Sequence, residues 1–277
     1  MRVPAWQHEI EIASRLARQA GAVIMEVYAT DFVIAFKGRN DPVTEADKRA
    51  NELIVKGLSS AFAKDSIVAE ETADRSGALN HGRVWYIDPL DGTKDFIARN
   101  GEFCVMIGLA LDGLAQLGLV YGPVEQVLFA GVTDQFAWKE TGGSRIPLSV
   151  SNASRPEELR LVVSRSHPSS LIDDFRHRTG ITRERRCGSV GLKVGLIAST
   201  QADVYIEPSR LSSAWDACGP EAILRGAGGR FTDMGGQTMI YGGTDLRNRK
   251  GLVATNAACH ELVLTSLKSL SHDTRLQ

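Results

Sequence analysis

The run VWYIDPLDGTKDF, residues 84–96, restricts this chain more than any other stretch. It opens as a strand over 84–90 whose first four residues are hydrophobic, then runs directly into Asp88-Pro89-Leu90-Asp91-Gly92-Thr93. A turn needs only the Asp-Gly pair. It does not need Asp88, a charge at the end of an apolar strand, where an unpaired carboxylate is costly. Pro89 fixes the backbone, Gly92 lets the chain turn tightly with its amide open, and Thr93 begins a helix, KDFIAR. Free amides at a helix N-terminus suit a phosphate. Two aspartates beside them are hard oxygen ligands suited to Mg²⁺. Together they point to two-metal phosphoryl chemistry; a turn merely decorated with acid is the alternative.

Upstream, residues 5–28 place Ala13, Leu16, Ala17, Ala20, Ile24 and Val27 at helical spacing. A second helix follows in 41–62: Pro42 keeps Asp41 out of it, and Thr44 with Asp47 is a capping-box variant that puts Asp47 in the first turn. SIVAEE (66–71) reads as a short strand, and 103–139 as an antiparallel meander turning at Asp112-Gly113. The Gly-, Ser- and Pro-rich stretch 141–159 marks a boundary, with subdomains expected at 1–145 and 146–277. Beyond it strands and helices alternate, as in a layered α/β unit. Periodicity alone gives mixed α and β with a late alternating half.

The 277 residues are 43% hydrophobic with net charge -1, so no global basic field argues for a nucleic-acid polymer or a membrane surface as partner. The basic runs RERR (183–186) and RNRK (247–250) read as solvated surface or as an anion contact. Cys104, Cys187, Cys218 and Cys259 lie far apart with no Cys-x-x-Cys, which suits reduced thiols in the cytoplasm. The N-terminal stretch is charged throughout, so no signal peptide is expected, and no apolar run approaches the ~18 residues of a membrane span.

Three further carboxylate positions stand at the ends of predicted elements: Asp47, Glu70 with Glu71, and Asp216 at the start of the helix WDACGPEAILRGAGG. Each has a plain explanation, since acids cap helix starts and complement the helix dipole and a strand end is solvated.

WYIDPLDGTKDF (85–96), AWDACGPEAILRGAGG (214–229), DPVTEAD (41–47) and VAEE (68–71) occur in the order seen in the Mg²⁺-dependent, lithium-sensitive superfamily of inositol monophosphatase and fructose-1,6-bisphosphatase, which the chain resembles over nearly its whole length. The resemblance implies a layered αβαβα sandwich, α+β or α/β in class, with a metal site between two subdomains. It implies two or three Mg²⁺ ions on Glu70, Asp88, the Leu90 carbonyl, Asp91 and Asp216. Asp47 and Thr93 would orient and deprotonate the attacking water, and the Gly92 and Thr93 amides would hold the phosphate. Most metal ligands thus fall in 1–145, while Asp216 and the substrate contacts fall in 146–277. Homodimers occur in the family, though no stretch here marks an interface.

GTKDFIARNGEF (92–103), VVSRSH (162–167) and GSVGLKVGLIA (188–198) are most similar to the 3′(2′),5′-bisphosphate nucleotidases. That likeness implies substrate contacts at Ser164, His167, Ser189 and Lys193, and release of the 3′-phosphate of adenosine 3′,5′-bisphosphate as AMP and phosphate. Plain alternatives stand beside these: a Ser-rich turn with a surface His167, and an exposed helix face for Ser189 and Lys193. Glu207, nine residues before Asp216, sits roughly where inositol monophosphatases bind substrate. It keeps an inositol or broad sugar phosphatase open. A non-catalytic Mg²⁺- or nucleotide-binding regulator would be marked by loss of Asp47 or Thr93, and both are present.

Overall fold

The computed structural model describes residues 6–38, 41–72, 76 and 82–273; residue 5, at the start of the expected first helix, lies outside them. The chain runs α1 (Gln7–Tyr28), a hairpin of β1 (Ile34–Gly38) and β2 (Asp41–Thr44), α2 (Glu45–Ala61), β3 (Ser66–Ala69), β4 (Arg83–Asp91) and a single-turn α3 (Thr93–Ile97). An antiparallel meander follows: β5 (Cys104–Leu111), β6 (Leu114–Gly122), β7 (Val127–Val132), β8 (Phe136–Thr141) and β9 (Ser144–Pro147). With β3 and β4 it makes a seven-stranded sheet in sequence order. The second half holds β10 (Arg160–Ser164), α4 (Ser170–Thr179), β11 (Arg183–Cys187), α5 (Val190–Ala198), β12 (Val204–Glu207), α6 (Ala214–Gly226), β13 (Arg230–Thr232), β14 (Leu252–Thr255) and α7 (His260–Asp273). Its five strands are ordered β11-β10-β12-β14-β13.

Side-chain alternation assigns the layers. In β4, Trp85 and Ile87 face a core built with Ala13, Ala20, Ile24 and Ile54 of α1 and α2. Val84 and Tyr86 face the opposite way, into a core shared with α5, α6 and the inner side of the second sheet. Leu161, Val204 and Val253 cover the outer side of that sheet against Phe175 of α4 and Val263 of α7. The order is therefore α1/α2, sheet, α5/α6, sheet, α4/α7: the αβαβα sandwich that the resemblance implies. Both faces of β4 are covered, which is why its sequence is continuously apolar.

Helix α6 lies unusually close to the first sheet. A Cβ on Gly118 would sit 1.9 Å from the Gly219 carbonyl oxygen, one on Gly108 2.5 Å from the Gly219 nitrogen, and one on Gly131 2.7 Å from Ile223 Cα. Three strands thus present glycine beneath the helix, and its backbone rests on theirs.

The β1–β2 hairpin, β9 and β11 were not expected. β11 is the RERR run, read from sequence as solvated surface or an anion contact. It is an edge strand parallel to β10; Arg183, Arg185 and Arg186 remain exposed, so its residues give no apolar alternation to mark it. The strand expected over 66–71 stops at Ala69, although the Glu70 amide still donates to the Ile87 carbonyl at 3.0 Å. The 145/146 division falls within β9; we propose the linker after Pro147 as the point where two subdomains divide.

Candidate active site

Alternation in β4 turns Asp88 toward α6, on the side of Val84 and Tyr86. Pairing with β5 then slips between Asp88 and Asp91, and the buckle is held by the Leu90 amide donating to Asp88 Oδ1 at 3.0 Å. Gly92 follows at φ 97, a left-handed conformation that favours glycine; a Cβ there would also meet the Glu102 carbonyl at 2.9 Å. Asp216 comes from the first turn of α6, where Ser213 and Asp216 form a capping box and the Ser213 amide donates to Asp216 Oδ2 at 2.6 Å. These constraints bring one oxygen each of Asp88, Asp91 and Asp216 within 4.8 Å of one another.

So close a group of acids resists ionisation. Burial, then the carboxylates of Glu70, Asp91 and Asp216, hold Asp88 well above the usual carboxylate range. Burial, then Asp91 and Glu70, do the same to Asp216. Burial also raises Asp91, against the pull of Lys193 and of hydrogen bonds from Ser189 and Gly191. Ser189 Oγ donates to Asp91 Oδ2 at 2.6 Å and the Gly191 amide at 3.1 Å. Glu70 lines the same cleft. Burial pushes it to about 7 over the opposing charge of Lys37, whose Nζ reaches Glu70 and Glu71 at 2.6 Å each.

Asp47 and Thr93 also meet. Asp47 Oδ2 is occupied by the Thr44 amide at 2.7 Å and the Thr44 hydroxyl at 2.6 Å, the capping box expected from sequence. Oδ1 is left facing Thr93 Oγ1 at 3.1 Å. The Leu90 carbonyl is a second acceptor for that hydroxyl at 3.2 Å. Asp47 is buried, and burial raises it against these hydrogen bonds.

Ser164, His167, Ser189, Lys193 and Glu207 all line the cleft, which encloses about 1210 Å³. Ser189 and Lys193 do not form an exposed helix face; both are buried. Ser189 caps α5 and holds Asp91. Lys193 Nζ donates to the Gly188 carbonyl and lies 4.9 Å from the Tyr205 ring centre. Glu207 accepts the Tyr205 hydroxyl at 3.0 Å and the Ser209 amide at 2.8 Å.

Sequence reasoning missed Lys94, Asp95 and Lys37, which also line the cleft, as does Arg247 of the RNRK run that was weighed as an anion contact. A lysine next to Thr93 was the available signal, but a cation in a short helix reads equally as solvated. Lys94 Nζ stands 2.9 Å from His167 Nε2 across the cleft.

Residues 5–272 match the model of the Inositol monophosphatase family, and the chain belongs to that family of metal-dependent phosphatases. It is 37% identical to the 3′(2′),5′-bisphosphate nucleotidase CysQ of Salmonella typhimurium, covering 84% of this chain and 93% of that one. The CysQ of Buchnera aphidicola is 35% identical, over 85% and 88% of the two chains. Among solved structures, CysQ from Bacteroides thetaiotaomicron superimposes with TM-score 0.78 at 28% identity, covering 91% and 98%. The inositol monophosphatase of Anabaena does so with 0.76 at 28%, covering 96% and 97%. No helix among the described residues is long and apolar enough to cross a membrane.

Proposed function

We propose that this chain is a Mg²⁺-dependent 3′(2′),5′-bisphosphate nucleotidase that converts adenosine 3′,5′-bisphosphate to AMP and phosphate. The observation that carries the reading is the convergence of Asp88, Asp91 and Asp216 within 4.8 Å beside the Thr93–Asp47 hydrogen bond. The donor set fits the ion. All three are hard oxygens, gathered within 4.8 Å of one another, and oxygen is the ligand type Mg²⁺ takes. Glu70 and the Leu90 carbonyl, which line the same cleft, would complete the set for two or three ions. Bound there, Mg²⁺ supplies charge neutralisation and a more acidic water.

The chain's own groups do the rest. Asp47 has one oxygen locked in the helix cap and one turned to Thr93, so it takes the threonine proton in a fixed direction. That leaves the Thr93 oxygen lone pairs to accept a hydrogen bond from the attacking water and to draw its proton toward Asp47. The Gly92 and Thr93 amides, at the start of α3 where no helical partner exists, receive the phosphoryl oxygens. Lys94, Lys193 and Arg247 along the walls favour a substrate with a second phosphate. The relatives' identity as 3′(2′),5′-bisphosphate nucleotidases supports the nucleotide, and buried cysteines outside any disulfide support a cytoplasmic setting.

Glu207 favours a second reading, an inositol monophosphatase, because it reaches the cleft from β12. Initial rates on adenosine 3′,5′-bisphosphate and on inositol 1-phosphate, side by side with Mg²⁺, separate the two. The nucleotidase reading expects the higher kcat/KM on the bisphosphate; preference for the inositol ester would replace it with the second.

A further inference from the structure

One wall of the cleft is the turn that follows β10, and three successive residues in it are tied to the segment following Thr93. His167 meets Lys94. Ser166 Oγ donates to Asp95 Oδ2 at 3.1 Å. Arg165 forks onto Glu102, Nε to Oε2 at 2.7 Å and Nη2 to Oε1 at 2.8 Å. Glu102 Oε2 also accepts the Gly188 amide at 2.8 Å, immediately before Ser189. A single carboxylate at the entry to β5 thus grips the residues that follow both β10 and β11, beside Ser164 and His167 on one side and Ser189 and the α5 start on the other.

Glu102 is not among the residues lining the cleft, so it does not face substrate. An isolated surface ion pair is worth little. This one has bidentate geometry, which fixes orientation as well as distance, and a backbone amide bound to the same oxygen. Burial opposes ionisation of Glu102, yet the bonds from Arg165 and Gly188 hold it below the ordinary carboxylate range. We infer that Glu102 is a positioning residue: through Arg165 and the Gly188 amide it fixes the separation between the phosphate cradle and the opposite wall. The inference rests on the nucleotidase reading and deepens it. A substrate with two phosphates must span both walls at a fixed width, whereas a small phosphomonoester held at the cradle alone does not.

The test is steady-state kinetics of Glu102→Ala, Glu102→Gln and Arg165→Ala on adenosine 3′,5′-bisphosphate and on para-nitrophenyl phosphate. Glu102→Ala should raise KM for the bisphosphate about tenfold, the effect of losing a charge-assisted bond, with kcat within about twofold. Its kinetics on para-nitrophenyl phosphate should match the native protein. Glu102→Gln, which keeps an acceptor for Gly188, should fall between the two. Equal losses on both substrates, or a fall in kcat at unchanged KM, overturn the inference. Hydrogen exchange provides a readout independent of substrate: amides of 164–167 should exchange faster in Glu102→Ala and Arg165→Ala than in the native protein, and the amide of 188 faster in Glu102→Ala. Native protein that turns over para-nitrophenyl phosphate but not the bisphosphate sinks the nucleotidase reading. Unchanged exchange at 164–167 sinks the clasp.

Discussion

Replacing Gly118 by alanine tests whether the height of α6 above the first sheet sets the position of Asp216. The added Cβ would lie 1.9 Å from the Gly219 oxygen, 2.6 Å from its carbonyl carbon and 2.8 Å from its Cα. Carbon contacts settle near 3.5 Å, so the helix must rise by roughly 1.5 Å. Sideways escape is limited because the helix also rests on Gly108 and Gly131, where an added Cβ would lie 2.5 Å from the Gly219 nitrogen and 2.7 Å from Ile223 Cα. Gly219 follows Asp216 by three residues, less than one turn, so the lift carries into the carboxylate. Misplacement by about 1 Å can cost ~10²-fold in rate, and overpacking costs about 1–3 kcal/mol of stability. Gly118→Ala should therefore lower kcat by about two decades and weaken Mg²⁺ activation, with a moderate drop in Tm. Gly122→Ala on the same strand is the matched control, since its Cβ would meet Leu192 at an ordinary 3.4 Å; it should behave as native. A folded Gly118→Ala protein with native kcat and native Mg²⁺ midpoint would refute the reasoning.

Thr93→Ala should cut kcat by about 10²–10⁴-fold while the Mg²⁺ concentration for half-activation stays near native. A collapse of metal affinity with turnover preserved at saturating Mg²⁺ would make Thr93 structural instead. Glu221 offers a pH test away from the metal cluster. Its carboxylate is buried in α6 and accepts Tyr241 at 2.5 Å and Arg225 at 3.2 Å. Burial raises it from 4.5 to about 7 against the pull of both hydrogen bonds. A raised folded value means the native state holds a proton that the unfolded chain has released. The stabilisation is complete below about pH 4.5 and is lost as pH climbs through about 7, on the order of 3 kcal/mol. Melting of the native protein and of Glu221→Gln across that window should give a shallower decline for the variant; parallel curves would exclude Glu221 as the source.

The acids of the site were legible where local physics demanded an explanation. Asp88 ends an apolar strand, and the Asp-Gly turn beside it needs no such charge. Thr44 and Asp47 form a cap that leaves one carboxylate oxygen for Thr93, and the spacing marks the cap but not that contact. The meeting of Asp216 with Asp88 was not readable from spacing, because it depends on the glycines beneath α6, which look unremarkable one at a time; the family resemblance supplied it. β11 stayed hidden because an edge strand of exposed arginines shows no alternation. Ser189 was placed on a helix face with Lys193, whereas it is the cap of α5 and bonds to Asp91. Glu102 gave no signal, since its partners Arg165 and Gly188 lie far off in sequence and meet only when the two sheets face each other across the cleft.

The divalent site itself is tested most directly by phosphate release from adenosine 3′,5′-bisphosphate after the purified protein is stripped with EDTA and then titrated with Mg²⁺, native beside Asp91→Asn. The native protein should be silent in chelator and recover saturably with Mg²⁺, while Asp91→Asn stays inactive at any Mg²⁺ concentration. Release that persists in EDTA, or an Asp91→Asn protein restored to native turnover by saturating Mg²⁺, would contradict the assignment of these carboxylates.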